Sequence, residues 1–539
     1  MRFSRVALSL FGLAAGCVGL SQNDAVPRPQ PTPAAARPAP PRLVVVAVFD
    51  QLGAATLARL APILDEDGAI RTAMANGVEL RVAHPHAATY TAPGHATLHT
   101  GAAPSASGIL ANERWHPERG EVSWLSDPSA PALHDPGASA SPRALRAATV
   151  ADALKSASGG RAKVVSVSVK DRGAVIPGGR TPDLALWYSS TRRGFTTSRY
   201  YREALPECVT RFEVEHPPER LLEPWVADPR VATLGPDDAP GEGEYLGWSR
   251  VFPHDPRKSS APWSVLRVTP ALTEYSIELA GACARNLGLG DDDVPDLLAL
   301  SLSATDYAGH VYGPESLEVA DALVRTDRAL GRLIRALEAH TRVAVLISSD
   351  HGVSALPEGS GSGGRIDPKQ LVATLNSRLQ ARLGPGSYVA AFVAPFVTLT
   401  ASAQRQREQV LPALLAELGA LPGVHAAFDS RTGARLRASG NPVERAAGLS
   451  LDDQAPGDAF VVPAEGWSVD PHMAVGAGTS HGAPWPSERE VPALFWGPGV
   501  PRLAARAALD ARRVAPTLAA LLGIPAPAGA RQPPLPGAP

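Results

Sequence analysis

LVVVAVFD, residues 43–50, is an unbroken apolar run that ends on a carboxylate. Leu, Val, Ala and Phe without polar alternation read as a strand buried on both faces, the kind found inside a parallel sheet. Two further runs repeat the pattern, Leu297–Ser303 before Asp306 and Val343–Ser349 before Asp350. Helical spacing lies between them. It is plainest over Ser316–His340, where Leu317, Ala320, Leu323, Val324, Leu330, Leu333 and Leu337 recur on one face. Strands alternating with helices predict an α/β fold with a central, mostly parallel sheet flanked by helices. Ligands of such sheets gather beyond the carboxyl ends of the strands, and here all three ends lead to an aspartate.

A fourth strand is read over Lys163–Lys170, KVVSVSVK. Val165, Val167 and Val169 form its apolar face; Ser166, Ser168 and Lys170 form the other, which Arg172 continues if the strand runs on. Buried cations need carboxylate partners or an anionic ligand. A salt bridge through Asp171 and an anion site are both open at this point. The stretch from about 194 to 270, rich in Trp, Tyr, Pro and Arg, reads as an inserted cap. A second insertion, about 356–469, opens on GSGSGG (359–364) and carries its own pattern: helix Asp367–Leu383, strand Tyr388–Leu399, helix Ala403–Leu418, strand Val424–Phe428. The folded domain is placed at 42–525, and the Pro-rich tail 526–539 is expected to be loose.

The 539 residues carry 51 basic and 53 acidic side chains, a net charge of −2 that leaves no electrostatic footprint for nucleic acid. A chain this long builds its core without disulfide staples, so three cysteines are not a framework. Arg2 and Arg5 precede an apolar run from Val6 to Leu20, the layout of an export signal and too short for a spanning helix. It contains Leu13-Ala14-Ala15-Gly16-Cys17, similar to a bacterial lipoprotein cleavage box, with Ala14 where leucine is usual. Residues 1–17 are therefore read as a signal peptide of lipoprotein type, with ordinary signal-peptidase cleavage as the alternative. A lipid on Cys17 would attach the protein to a membrane. Residues 18–41, rich in Pro and Ala, read as a tether. The protein is expected to be exported, periplasmic or anchored at the outer membrane of a bacterium, and monomeric. Cys208 and Cys283 are candidates for a disulfide whose closure the sequence does not decide.

Asp306 and His310 stand four residues apart, on one face if helical, although Gly309 predicts a loop or broken turn. Asp350-His351 follows a buried strand, and His481 lies in the loop Thr479–Gly482. Singly, each has a bland reading as a turn or surface residue. Together Asp50, Asp306, His310, Asp350, His351 and His481 form a mixed oxygen and nitrogen set suited to Zn²⁺. Six ligands exceed one open catalytic site and fit two ions clamping an in-line displacement. Thr91, before Pro93, falls at a helix start. It is either an ordinary N-cap threonine or a nucleophile activated by metal, with free backbone N–H groups facing an anion. Asn112 alone signals little more than a turn.

Several longer stretches carry a family resemblance: VVVAVFDQ (44–51), ATYTAPGHATLHTG (88–101), GILANERW (108–115), SVSVKDRGAVIPGG (166–179), SLSATDYAGHVYGP (301–314), SSDHG (348–352), GTSHGAPWP (478–486) and VPALFWGPGV (491–500). The sequence resembles the alkaline phosphatase superfamily, and within it the PafA-type bacterial alkaline phosphatases, close to the nucleotide pyrophosphatase/phosphodiesterases. The resemblance implies a three-layer alkaline-phosphatase-like fold and two Zn²⁺ ions. One would be held by Asp306, His310 and His481, the other by Asp50, Asp350, His351 and Thr91. It implies Thr91 as a nucleophile forming a phosphothreonine, with Asn112, Lys170 and Arg172 on the phosphoryl oxygens. Diesterase relatives lack the cationic pair, so small-molecule phosphate monoesters are the expected substrates. A phosphodiesterase or nucleotide pyrophosphatase on the same scaffold is the alternative enzyme, and an inactive, lipid-anchored binding protein the alternative of another class.

Overall fold

Strand β1 (Leu43–Phe49) is buried at every position, as its uninterrupted apolar run requires. In this computed structural model the described residues are 39–361, 363–470 and 472–539. The leader with Cys17, and the tether up to residue 38, lie outside them. The other strands of the main sheet are, in chain order, β2 (Val78–Ala83), β3 (Val164–Ser168), β4 (Leu184–Ser189), β5 (Gly194–Thr196), β6 (Asp296–Leu302), β7 (Val343–Ser348), β8 (Glu490–Trp496) and β9 (Leu503–Asp510). They form one nine-stranded sheet in the order β9-β2-β8-β7-β1-β6-β3-β4-β5. The run from β7 to β4 is parallel throughout. β8 is antiparallel to both β7 and β2, β5 is antiparallel to β4, and β9 is parallel to β2. The sheet is thus mixed: parallel where crossover helices bury both faces, antiparallel where strands join nearer the edges. The first insertion also begins differently from the expectation, since Gly194 opens an edge strand of the main sheet.

Register places the chemistry. Phe49 pairs with Leu302 on one side and Val48 with Ser348 on the other, so the carboxyl ends of β1, β6 and β7 finish level. The first residues past each end therefore emerge side by side.

Among the described residues, the helices that flank the sheet or reach the ends of its strands include α1 (Thr91–Thr100), α2 (Val150–Ala157), α3 (Asp171–Gly178), α4 (Pro270–Leu287), α5 (Ala304–Tyr312), α6 (Leu317–Glu338) and α7 (Val514–Leu521). Alternate residues of β1 feed opposite cores. Leu43, Val45, Ala47 and Phe49 pack with α4 and α6; Val44, Val46 and Val48 pack with α2, α7 and Leu98 of α1. Cys208, on the helix Glu207–Glu215, is joined to Cys283 of α4 by a disulfide. The C-terminal tail is not loose: Leu535 is buried in the second of these cores, and its N–H donates to Thr517 Oγ1 at 2.8 Å.

The rest of the first insertion packs Trp225, Trp248 and Phe252 around Tyr312 of α5. Among them two carboxyls are buried. Glu318 Oε1 lies 2.9 Å from His254 Nε2, and Glu242 Oε2 has no hydrogen-bond partner. Burial, with each carboxyl's acidic neighbours, pushes both up from the ordinary 4.5 to about 8. Each therefore takes up a proton on folding between those values, and stability must fall as pH rises through that window. Melting curves from pH 5 to 9 should show the decline, on the order of 2–4 kcal/mol for Glu318 alone. Glu318→Gln should reduce it, leaving the part due to Glu242.

Residues 364–469 carry a second sheet, four antiparallel strands in the order Val389–Val393, Phe396–Leu399, Ala459–Pro463, Val424–Asp429. The single strand expected over 388–399 is a tight hairpin that turns at Ala394–Pro395, since Pro395 has no N–H to continue a ladder. Helices Pro368–Leu383 and Arg407–Gly419 cover one face through Leu375, Leu379, Leu414 and Leu418. The two ends of this cap meet where Gly364–Ile366 pairs in parallel with Trp467–Val469.

Candidate active site

Asp50, Asp306 and Asp350, each following its strand end, are buried, with exposures of 0%, 1% and 0%. Two of these carboxylates flank one ammonium: Lys170 Nζ bonds Asp306 Oδ2 and lies 2.7 Å from Asp50 Oδ2. Burial pushes Asp50 up, with Asp306 and Asp350 adding to it, and Asp350 is pushed by burial to about 7. Burial works the same way on Asp306, but Lys170 and His310 hold that carboxyl well below its usual range. Asp50 Oδ1 and Asp350 Oδ2 have no hydrogen-bond partner. Buried negative charge in excess of the one lysine is what a bound cation would neutralise.

The histidines point the same way. His310 Nδ1 lies 3.0 Å from Thr479 O, His351 Nδ1 3.0 Å from Gly352 O, and His481 Nδ1 2.7 Å from Thr89 O. A carbonyl only accepts, so each Nδ1 carries the proton and each Nε2 keeps its lone pair for the cavity. This is the orientation that backbone carbonyls impose on metal-binding imidazoles. His310 and His481 bring Nε2 to 3.3 and 3.4 Å from Asp306 Oδ1. His351 Nε2 is 3.5 Å from Asp50 Oδ1 and 3.6 Å from Asp350 Oδ2.

Among the described residues two groups are close enough to share an ion: Asp306, His310 and His481, and Asp50, Asp306 and His351, in each of which the ligand atoms lie within 4.8 Å of one another. Asp306 stands between the two. Asp350, expected in the second group, approaches it through His351. The donor set, mixed carboxylate and imidazole, fits zinc or a similar divalent ion.

Asp306 and His310 lie on one continuous helix, α5, not a broken turn. Gly309 is there for space: a Cβ on it would fall 1.8 Å from Gln51 Oε1. Thr91 is the first residue of α1 and 1% exposed. Its Oγ1 is 3.4 Å from His351 Nε2 and 3.4 Å from Lys170 Nζ. The helix start offers an anion less than expected. The Ala92 N–H already donates to Asn112 Oδ1 at 2.8 Å, Pro93 has no N–H, and the Gly94 N–H donates to Tyr90 O. With Asn112 Oδ1 so engaged, its amide NH₂ is the arm left for a ligand.

β3 ends at Ser168, earlier than expected, so Lys170 is the N-cap of α3 and Arg172 stands in its first turn. The backbone turns there because the Lys170 N–H donates to Ser168 Oγ and Asp171 favours a helix start. Arg172 makes only distant ion pairs, 4.0 Å to Glu113 and 3.9 Å to Asp171, and its Nε has no partner. The Asp171 salt bridge is therefore loose. Burial lowers the pKa of both cations, but nearby carboxylates more than offset it: Asp306 and Asp50 for Lys170, Glu113 and Asp171 for Arg172.

Two further contributors escape a reading of the sequence. Gln51 adopts a left-handed backbone (φ 68°) and donates from Nε2 to Asp306 Oδ1 at 3.0 Å. Glu488 is buried and accepts the N–H groups of Gly482 and Ala483 at 2.6 Å, which fixes the loop behind His481. Neither stands in a motif of its own; contacts with Asp306 for Gln51 and with Thr89 for Glu488 reveal them. A cavity of about 230 Å³ opens from this centre, with Arg172, Asn112 and Asp306 at its base and Tyr90, Tyr307, Phe392 and Met473 among its walls.

The family model described as type I phosphodiesterase / nucleotide pyrophosphatase matches residues 44–472. The chain is 28% identical to alkaline phosphatase PhoV of Synechococcus elongatus, with 98% of each chain covered. It is 28% identical to alkaline phosphatase PafA of Elizabethkingia meningoseptica over 96% of each. Its fold matches the crystal structure of wild-type PafA with a TM-score of 0.84 and 26% identity, covering 92% of this chain and 98% of that one. A mixed sheet between two helical layers, matched in this way over nearly its whole length, is an alkaline-phosphatase-like fold, and the chain belongs to the type I phosphodiesterase / nucleotide pyrophosphatase family.

Proposed function

We infer that this protein is a zinc-dependent alkaline phosphatase that hydrolyses phosphate monoesters through a phosphothreonine at Thr91. The observation that carries the reading is the pair Lys170 and Arg172 beside Thr91: Lys170 Nζ is 3.4 Å from the hydroxyl, and Arg172 lines the same cavity with its Nε unpartnered. A monoester presents a dianion that two cations complement. A diester carries one charge less and a second substituent that would meet them. Names of relatives support the reading, since both PhoV and PafA are alkaline phosphatases.

Asp306, His310 and His481 would hold one divalent ion, and Asp50, Asp350, His351 and Thr91 the other. Bound there, the ions would supply Lewis acidity, lowering the pKa of the Thr91 hydroxyl and offsetting charge on the ester oxygens. Thr91 Oγ1 forms the bond to phosphorus as the ester oxygen departs in line on the opposite side. Water then cleaves the Oγ1–P bond, releasing phosphate and restoring the hydroxyl. Lys170, Arg172 and the Asn112 amide donate to the non-bridging oxygens, where transition-state charge lies. Tyr90 and Tyr307 line the cavity that would receive the ester.

Export, with a lipid on Cys17, is part of this proposal. It draws on the leader-like N-terminus and on the Cys208–Cys283 disulfide, a bond suited to an oxidising compartment. Among the described residues no helix is long and apolar enough to cross a membrane. The test compares kcat/KM for p-nitrophenyl phosphate and for methyl p-nitrophenyl phosphate with zinc present. A monoester preference of about 100-fold or more is expected, the discrimination of one well-placed donor. Preference for the diester overturns the reading in favour of a phosphodiesterase.

A further inference from the structure

His481 and His310 come from distant parts of the chain, yet one short stretch, Gly478-Thr479, ties them together. The Thr479 N–H donates to His310 O at 3.1 Å, and Thr479 O lies 3.0 Å from the proton-bearing His310 Nδ1. Thr479 Oγ1 donates to Ser354 O at 3.0 Å. Gly478 is pressed so closely against α5, with φ +62°, that a Cβ would fall 2.0 Å from His310 O. Its N–H donates to Gly241 O of the first insertion at 2.7 Å.

The remaining handle on this stretch is the Gly478 carbonyl, and Arg365 grips it. Arg365 Nε and Nη2 donate to Gly478 O at 3.0 and 2.6 Å. The same guanidinium donates from Nη1 and Nη2 to Glu358 at 2.6 and 2.8 Å. Its side chain is only 13% exposed, and the residue lies on the neck strand Gly364–Ile366, where the cap joins the body. A planar fork held by a carboxylate on one edge and closed on a carbonyl by the other has little freedom to drift. Arg365 touches no atom of the metal ligands.

We propose that Arg365 is a positioning residue: by fixing the Gly478 carbonyl it holds Thr479, and through Thr479 the imidazole of His310 and the start of the loop that carries His481, and so sets the affinity of the Asp306–His310–His481 metal site. The cap and the metal centre are thereby coupled through one side chain. The proposal rests on the two-metal reading of the site but not on the choice of substrate.

The test is a Zn²⁺ titration of the full chain against a chromophoric chelator, made on the parent, Arg365→Ala and Arg365→Lys, beside a melting curve of each. Arg365→Ala should weaken one of two sites by about 10-fold, the low end of the cost of losing an outer partner of a metal ligand, because Arg365 acts one contact further out, on Gly478. The other site should keep its affinity, and the melting temperature of the chelator-treated protein should change little. Arg365→Lys, whose single ammonium reaches one partner at a time, should recover part of the loss. Unchanged affinity at both sites overturns the proposal. Equal weakening of both, together with early melting, also overturns it, because the residue is then structural. A parent that binds no zinc tightly overturns the metal reading itself, which a result confined to the variants does not. An inactive parent that still binds two ions would fault the proposed reaction and leave the role of Arg365 intact.

Discussion

Thr91→Ala is expected to hydrolyse p-nitrophenyl phosphate at least about 1,000-fold more slowly than the parent, with kcat carrying the loss. The change removes the hydroxyl proposed to form the covalent bond. It should leave the fold intact, because Thr91 Oγ1 makes only long contacts, 3.4 Å to His351 and 3.4 Å to Lys170. No side-chain cap is lost either: Tyr90, not Thr91, stands at the N-cap of α1. The melting temperature should therefore change by a few degrees at most, and zinc content should stay near that of the parent through the other ligands. Acid quenching of the parent during turnover should trap phosphate on Thr91. Thr91→Ser, which restores a hydroxyl, should regain much of the rate. A Thr91→Ala protein that turns over within tenfold of the parent would show that water attacks directly and that no phosphothreonine forms.

Lys170→Ala combined with Arg172→Ala should erase the preference for monoesters. Each donor aimed at charge that develops in the transition state contributes about 100–1,000-fold. Losing both should cost the monoester up to about 10,000-fold, short of full additivity because the two side chains serve one phosphoryl group. The diester, with one charge fewer and a bulky group where the cations stood, should change by less than about tenfold, so the ratio of the two kcat/KM values collapses. Lys170 also pairs with Asp50 and Asp306, and removing one partner of a buried pair is costly. Zinc content must therefore be measured beside the rates. Arg172→Ala alone is the cleaner arm, since its ion pairs are 3.9 Å or longer and no metal-ligand contact is lost with it. A double variant that keeps the monoester preference would remove the cationic pair from the account of specificity.

What is legible in the chain is what local pattern carries. Buried parallel strands announce themselves by apolar runs, so β1, β6 and β7 are found within a residue or two, and with them the aspartates beyond their ends. Helix α6 is legible for the same reason, its stripe running from the Ser316 cap to Glu338. Where sequence and structure part, a contact distant in sequence decides. Gly309 breaks isolated helices, yet here it is kept because Gln51 occupies the space of a side chain. Lys170 and Arg172 look like a continuing strand until Ser168 Oγ takes the Lys170 N–H and the backbone turns. The prolines of the tail suggest loose chain, but Arg513 donates to the carbonyls of Pro533 and Pro534 and seats Leu535 in the core. Gln51, Glu488 and Arg365 each act on a partner from another part of the chain, Asp306, Thr89 and Gly478, which no spacing rule announces.

The paired strands Gly364–Ile366 and Trp467–Val469 make residues 364–469 a module with a single doorway. Because the chain enters and leaves side by side, additions or deletions inside that block need not disturb the register of the nine-stranded sheet. The block supplies Phe392, Val393 and Ala394 to the cavity wall, whereas the carboxylates, histidines and Thr91 all belong to the body. An exchanged segment can therefore refurnish the chamber, provided it keeps the face through which Phe396, Leu436, Ala446 and Phe460 pack against Ala88, Tyr90 and Ala92 of the body. Such grafts must keep Arg365, because that part of the doorway also grips the carbonyl of Gly478.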